Sequence, residues 1–226
     1  MSSRGNALRK SPREILFQHL PENTVDTICE WIDSYAFNLK ISRARNTKLG
    51  DYRSPFAGKG HRITVNHDLN KYAFLITLVH EVAHLVTWEK HKDRVAPHGK
   101  EWKLHFKSLM TSFLNESVFP IDVLNAVTGY IQNPAAASCT DMHLYRTLRK
   151  YDENTANPGS TLVESLPEHS IFQLKNGMIL RKGELLRKRF KCTEMKSRKI
   201  YLVNPLAEAI RLQQAEEKGQ LVLFRS

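Results

Sequence analysis

The densest apolar pattern in the chain runs from Tyr72 to Trp88 and reads YAFLITLVHEVAHLVTW. Apolar side chains fall on nearly every helical face, the pattern of a helix buried all round. The spacing predicts a helix from about Lys71 to Lys90, capped from Asn66-His67-Asp68-Leu69-Asn70. Upstream, Ser11-Pro12-Arg13-Glu14 reads as a helix start, with a capping serine, proline at the first position and an acid in the first turn. Val25, Ile28, Cys29, Ile32, Tyr35 and Ala36 keep helical spacing and predict a second helix over about 21–37. Leu39-Lys40-Ile41-Ser42, Lys48 to Arg53 and His61 to Asn66 alternate instead, the signature of three short strands in a small antiparallel sheet. An edge strand beside a cleft in such an order can bind an extended peptide by strand addition. After the central helix, Trp102, Phe106, Leu109, Met110 and Phe113 form one stripe of a helix over about 100–115, and a shorter helix follows from Phe119 to Tyr130.

The pattern weakens beyond Pro134. Residues 135–138 and 152–160 are loop-like, and Asp141 to Tyr151 reads as a short basic helix between them. After Pro167 the pattern is strand-like: Ser170 to Leu174, a hairpin turn at Asn176-Gly177, then Met178 to Leu180, Leu186 to Lys191 and Lys199 to Val203. Pro205 to Lys218 reads as a helix and Leu221 to Phe224 as a last strand. The sequence is therefore α+β, with a core over 1–133, a linker over 134–166 that includes the short helix, and a small β-rich module over 167–226.

Composition narrows the partners. Of the 226 residues, 41% are apolar, enough for a real core. No apolar run reaches the roughly 18–20 residues of a membrane span. The first residues, MSSRGNALRKSPRE, lack an apolar signal region, so cytoplasm is the expected location, with no membrane partner. Cys29, Cys139 and Cys192 form no C-x-x-C pair, so neither a disulfide framework nor a thiolate metal site is expected. The net charge is +11, and residues 167–226 hold 13 basic and 6 acidic side chains, a local net of +7. That balance favours polyanions, nucleic acid first, although a solvated basic surface would give the same count.

The candidate chemistry lies inside the apolar helix, at His80-Glu81-Val82-Ala83-His84. Histidines four apart share one helix face and can grip one metal ion, and Glu81 beside the first can reach an activated water, the H-E-x-x-H arrangement of zinc hydrolases. Burying two imidazoles and a carboxylate without partners is unfavourable, and one cation satisfies both imidazoles. The alternative is two core histidines bonded to backbone, with Glu81 in a salt bridge. Catalytic zinc usually has three protein ligands. His91, His98, His105 and Glu89 are near in sequence. His91 lies about 10 Å along the axis from His84, too far for one ion. His98 follows a proline-containing turn that lets the chain fold back, and His105 is the fallback. Asp93, Glu89 and Glu101 are candidates to orient a ligand imidazole.

His80-Glu81-Val82-Ala83-His84 followed by His98-Gly99-Lys100-Glu101-Trp102 resembles the SprT-like metalloprotease family, which includes bacterial SprT proteins and the Spartan proteases of DNA–protein crosslinks. The likeness extends over about Pro12 to Leu114. It implies a zincin-like metalloprotease core, zinc as cofactor, His80, His84 and His98 as ligands, Glu81 as catalytic base, and a protein substrate, bound or crosslinked to DNA. Many members add a zinc ribbon of four cysteines. Here Cys192 alone follows Cys139, so a four-cysteine ribbon is impossible.

In the basic module, Arg181, Lys182, Arg187, Lys188, Arg189, Lys191, Arg198 and Lys199 punctuate the predicted strands. They are candidates to engage phosphates, with Phe190 and Tyr201 as rings that could stack on a base or fill a small core. Two rival functions remain beside the protease: a DNA-associated or transcription-related factor with a structural metal site, and a zinc hydrolase of a non-protein substrate. An intact Glu81 favours an enzyme. Composition and pattern give no oligomeric state.

Overall fold

A computed structural model describes residues 11–45, 48–135, 141–152, 159–217 and 220–225. Residues 1–10, Cys139 and the loop-like stretches 136–138 and 153–158 lie outside the described residues. The chain divides into two compact units, Met1–Glu153 and Asn154–Ser226.

In the first unit, α1 (Pro12–His19) begins with the expected cap: Ser11 Oγ accepts from Glu14 N, and Glu14 accepts from Ser11 N. A 3-10 turn at Glu22–Thr24 precedes α2 (Val25–Ser34). Three strands follow, β1 (Asn38–Ser42), β2 (Gly50–Arg53) and β3 (Arg62–Asn66). The sheet order is β1-β3-β2. The β2–β3 pair is antiparallel, whereas β1 runs parallel to β3, so the small sheet is mixed. The chain leaves β1, places β2 at the far edge, and returns through β3 in the middle. β3 therefore repeats the direction of β1.

Helix α3 (Lys71–His91) spans 21 residues. Asn70 caps it, its Oδ1 accepting from the amides of Tyr72 and Ala73, while its amide donates to Leu148 O and Asp152 Oδ1. As its pattern predicts, α3 is enclosed: it packs against β2 and β3 on one side and α4 (Lys100–Thr111) on the other. Phe74, Leu75, Ile76, Leu78 and Leu85 are wholly buried with Trp102 and Phe106 of α4. α5 (Ile121–Tyr130) and α6 (Met142–Arg149) complete the unit. α6 belongs to this unit, not to a linker, because Leu144 and Leu148 enter the core. Among the described residues no helix is long and apolar enough to cross a membrane.

The second unit is a seven-stranded sheet: β4 (Ser160–Leu162), β5 (Ile171–Leu174), β6 (Ile179–Leu186), β7 (Arg189–Glu194), β8 (Ile200–Val203), β9 (Glu208–Glu217) and β10 (Gln220–Arg225). The order is β10-β9-β5-β6-β7-β8, with β4 also on β9. Gly177 turns the β5–β6 hairpin at φ +85°, a conformation open to glycine. Within the helix expected over Pro205–Lys218, Glu208–Glu217 form strand β9 instead. Its alanine, leucine, glutamine and glutamate residues favour helix locally, but β4, β5 and β10 all pair with this segment, and tertiary pairing outweighs so weak a preference.

One lysine supports this unit from inside. Lys182 is 5% exposed, donates to the carbonyls of Glu164 (3.0 Å) and Leu166 (2.5 Å), and lies 4.2 Å from the centre of the Phe190 ring. Replacing it by methionine strands two buried carbonyls. Lys182→Met is expected to destabilise the protein by about 2–4 kcal/mol, read by urea unfolding.

Candidate metal centre

The geometry of α3 sets His80 and His84 one turn apart, facing α4. His98 arrives from the turn ahead of α4, where its backbone is left-handed (φ 59°). A non-glycine residue there is held against its own preference, as occurs where surrounding structure fixes a functional group. Gly99 closes the turn, its amide donating to Ala96 O at 3.0 Å, and a Cβ at Gly99 would itself lie 3.0 Å from that oxygen.

The three Nε2 atoms converge, with separations of 3.1 Å (His80–His98), 3.2 Å (His80–His84) and 2.9 Å (His84–His98). Burial and the neighbouring histidines lower the pKa of His80 to about 3. Burial and His98 lower that of His84 to about 4, and burial lowers that of His98. The imidazoles are thus neutral, the form that binds metal. Three N–H bonds cannot all point into one common space, whereas three lone pairs facing a cation can. Nitrogens around a tetrahedral zinc at 2.0–2.1 Å stand roughly 3.3–3.4 Å apart, close to the observed triangle. His80, His84 and His98 could therefore hold a metal ion, and they form such a group among the described residues.

Trp102 backs the group. Wholly buried, its ring lies 4.6, 5.4 and 4.7 Å from those of His80, His84 and His98, and its Nε1 donates to the His80 carbonyl at 3.4 Å. His105, the fallback third ligand, is turned elsewhere: its Nδ1 is 2.9 Å from Thr87 Oγ1. His91 neighbours His105, at 6.0 Å between rings.

Glu81 is 7% exposed and lies between α3 and β2. A Cβ on Gly50 would fall 2.8 Å from Glu81 Cγ and 2.8 Å from Thr77 Cγ2, so the strand reaches the helix only because residue 50 has no side chain. Burial first, then the Asp51 carboxylate, push the Glu81 carboxyl up to about 8 against the pull of the Tyr52 amide, Lys48 and Arg45.

A cleft of about 320 Å³ opens beside the histidines, lined in part by Tyr52, His84, Trp88, Lys92, Pro97 and His98. Tyr52 lies parallel to His84 (5° between planes, 6.5 Å between centres). Its hydroxyl is 2.9 Å from His61 Nδ1, and His61 Nε2 is 2.8 Å from Glu89 Oε1. Burial opposes ionisation of Glu89, but hydrogen bonds from Lys92 and His61 outweigh it and hold the carboxyl below its usual range. Glu89, one of three candidates to orient a ligand imidazole, engages His61 instead. Glu101 lies 3.7 Å from Lys100, and Asp93 lines the cleft. Tyr52 and His61 were missed from sequence; they sit on strands with no spacing relative to the motif that would flag them.

The basic residues do not share one fate. Arg181, Arg187, Lys188, Arg189, Arg198 and Lys199 are exposed, and Lys191 is half-buried, 3.6 Å from Glu184. Lys182 is enclosed, its ammonium committed to two carbonyls, so it has no access to a phosphate. Phe190 and Tyr201 pack against the second core.

The SprT-like family model matches residues 15–125. Over 42 residues the chain is 55% identical to the proteins named SprT of Erwinia tasmaniensis, Escherichia coli and Escherichia fergusonii. That stretch is 18% of this chain and spans about a quarter of each relative, 24% of the first and 25% of the other two. No solved structure matches.

If His98 and not His105 completes the metal site, His98→Ala abolishes stable metal retention while His105→Ala keeps about one equivalent, measured by elemental analysis after dialysis. The histidine triad lies within the matched segment, and over that segment the chain is similar to the SprT-like family.

Proposed function

We propose that the chain is a zinc-dependent metallopeptidase with a zincin-like core, hydrolysing peptide bonds with Glu81 as general base. The observation that carries this reading is the meeting of three imidazoles, two of which (His84 and His98) line an open cleft, with a buried carboxylate one residue from the third, His80. Zinc, when bound by His80, His84 and His98, supplies Lewis acidity that acidifies a water and polarises a carbonyl. The chain's own residues do the rest. Trp102 and the left-handed turn at His98 hold the imidazoles in place. Glu81, braced by the Tyr52 amide and the bare surface of Gly50, takes the proton from the attacking water in its ionised form, which a cation held by the neighbouring histidines would favour against its burial, and returns the proton to the leaving amine. A site that only binds metal for structure needs no carboxylate there.

The substrate class we infer is protein. The exposed cations of the second unit make DNA-bound protein one arm of the test, and the rival reading is a DNA-associated factor with a structural metal.

The test compares wild type with Glu81→Gln, both loaded with zinc, on a DNA-binding protein with and without single-stranded DNA. Wild type is expected to cleave, while Glu81→Gln keeps its zinc and loses roughly 10²–10⁴-fold in rate. Cleavage by neither, with DNA bound by both, would replace the peptidase with the binding factor. A milder variant probes the brace: Gly50→Ala pushes against Thr77 and Glu81, and the flexible glutamate yields first. It is expected to retain metal but lower the rate more than it lowers the unfolding midpoint.

A further inference from the structure

The second unit ends in an open strand. β8 is terminal in the sheet, paired with β7 alone among the described residues. Two sets of hydrogen bonds establish which of its backbone groups are free. Glu194 N donates to Lys199 O, which makes Cys192↔Tyr201 a bonded pair and Thr193↔Ile200 and Lys191↔Leu202 unbonded ones. Met195 N donates to Ile179 O, so Thr193 turns its backbone toward β6 and away from Ile200, in agreement. The amides and carbonyls of Ile200 and Leu202 therefore point out of the sheet.

The same two residues carry exposed aliphatic side chains, 60% and 53% accessible. They lie on the outer face, opposite the inward row Lys182, Cys192 and Tyr201. Arg181 and Lys191 share that face by register, exposed Arg189 continues it, and Arg198 and Lys199 stand where the chain enters β8. The acids close by are already engaged: Glu184 with Lys191, and Glu194 with the Ser197 hydroxyl. Leu186, 43% exposed, extends the apolar surface beside Arg189.

We propose that the β8 edge docks an extended acidic polypeptide segment with apolar side chains at alternate positions. Backbone pairing to Ile200 and Leu202 supplies the strand addition, their side chains pair with the segment's apolar residues, and the flanking cations meet its acids. Nucleic acid fits this face less well. The rings that could stack on a base, Phe190 and Tyr201, are packed inward, Lys182 is enclosed, and two bare aliphatic side chains gain nothing from phosphates. This site stands apart from the metallopeptidase reading and does not depend on it.

The experiment uses the full chain and a short fluorescein-labelled peptide of alternating valine and threonine with glutamates at both ends. Its lysine-ended counterpart and a single-stranded oligonucleotide are the comparisons. Anisotropy is expected to show the glutamate peptide binding at least about tenfold tighter than the lysine peptide. Amide exchange followed by NMR is expected to slow at Ile200 and Leu202 and to stay unchanged at Tyr201, whose amide already faces β7. The double change Ile200→Thr with Leu202→Thr keeps strand-forming residues and is expected to weaken binding roughly fivefold. Arg198→Glu with Lys199→Glu should weaken it independently, so the test survives if the first variant misfolds. Equal binding of both peptides, binding without protection of those two amides, or an oligonucleotide that displaces the peptide would each overturn the proposal, the last in favour of nucleic acid.

Discussion

Three imidazole nitrogens within 3.2 Å of one another repel unless a cation stands among them. Most of the first unit is explicable as the means of holding that arrangement. A single amphipathic helix could not do it, because its polar face would hydrate and its side chains would turn to water. α3 is enclosed by sheet and helix instead, so burial disfavours protonated histidine and packing restricts the rotamers. Trp102 touches all three rings and thereby couples the start of α4 to the middle of α3. The left-handed backbone at His98 is a local strain that this surrounding contact over-determines.

The same enclosure constrains the sheet. β2 must lie close enough to α3 for its amide to reach Glu81, and only a residue without a side chain at position 50 permits that. Tyr52, two residues on, then falls beside His84, and His61 from β3 bridges it to Glu89 near the end of α3. Strand, strand and helix are thus joined twice: by apolar packing in the core and by a polar chain along the cleft wall. His61 is the buried member of this chain, and it is stable there because both of its ring nitrogens have a partner; removing Tyr52 or Glu89 leaves one of them unsatisfied.

What was legible in the sequence was local. The capping serine and Glu14 lie three residues apart, His80 and His84 lie one turn apart, and Asn176-Gly177 is a turn within two residues. Each signal is complete within a short window, and each was recovered. The third ligand was open because His98 and His105 differ only in how the turn after α3 closes, which depends on a backbone conformation at His98 that no spacing encodes. The chain Tyr52–His61–Glu89 joins residues 9 and 28 apart in sequence, with roles visible only once β2, β3 and α3 are assembled. β9 differs from its expected helix for the opposite reason: its local preference is weak and is outweighed by pairing with partners on both sides.

The basic module shows why a charge count does not define a surface. Eight cations close in sequence suggest one polyanion footprint. In the folded unit one of them, Lys182, faces inward and binds two carbonyls and a ring, a crosslink made by hydrogen bonds in a module that lacks the thiolates for a metal one. The remaining cations lie around exposed aliphatic residues on an edge strand paired on one side, rather than around exposed rings. An open edge with bare isoleucine and leucine is an aggregation hazard that proteins usually blunt with charge. Here Arg198 and Lys199 deter self-pairing by repulsion, since a second copy would bring the same charges to the same edge. That repulsion becomes attraction for a segment of opposite sign, so one set of residues excludes the wrong partner and selects the right one.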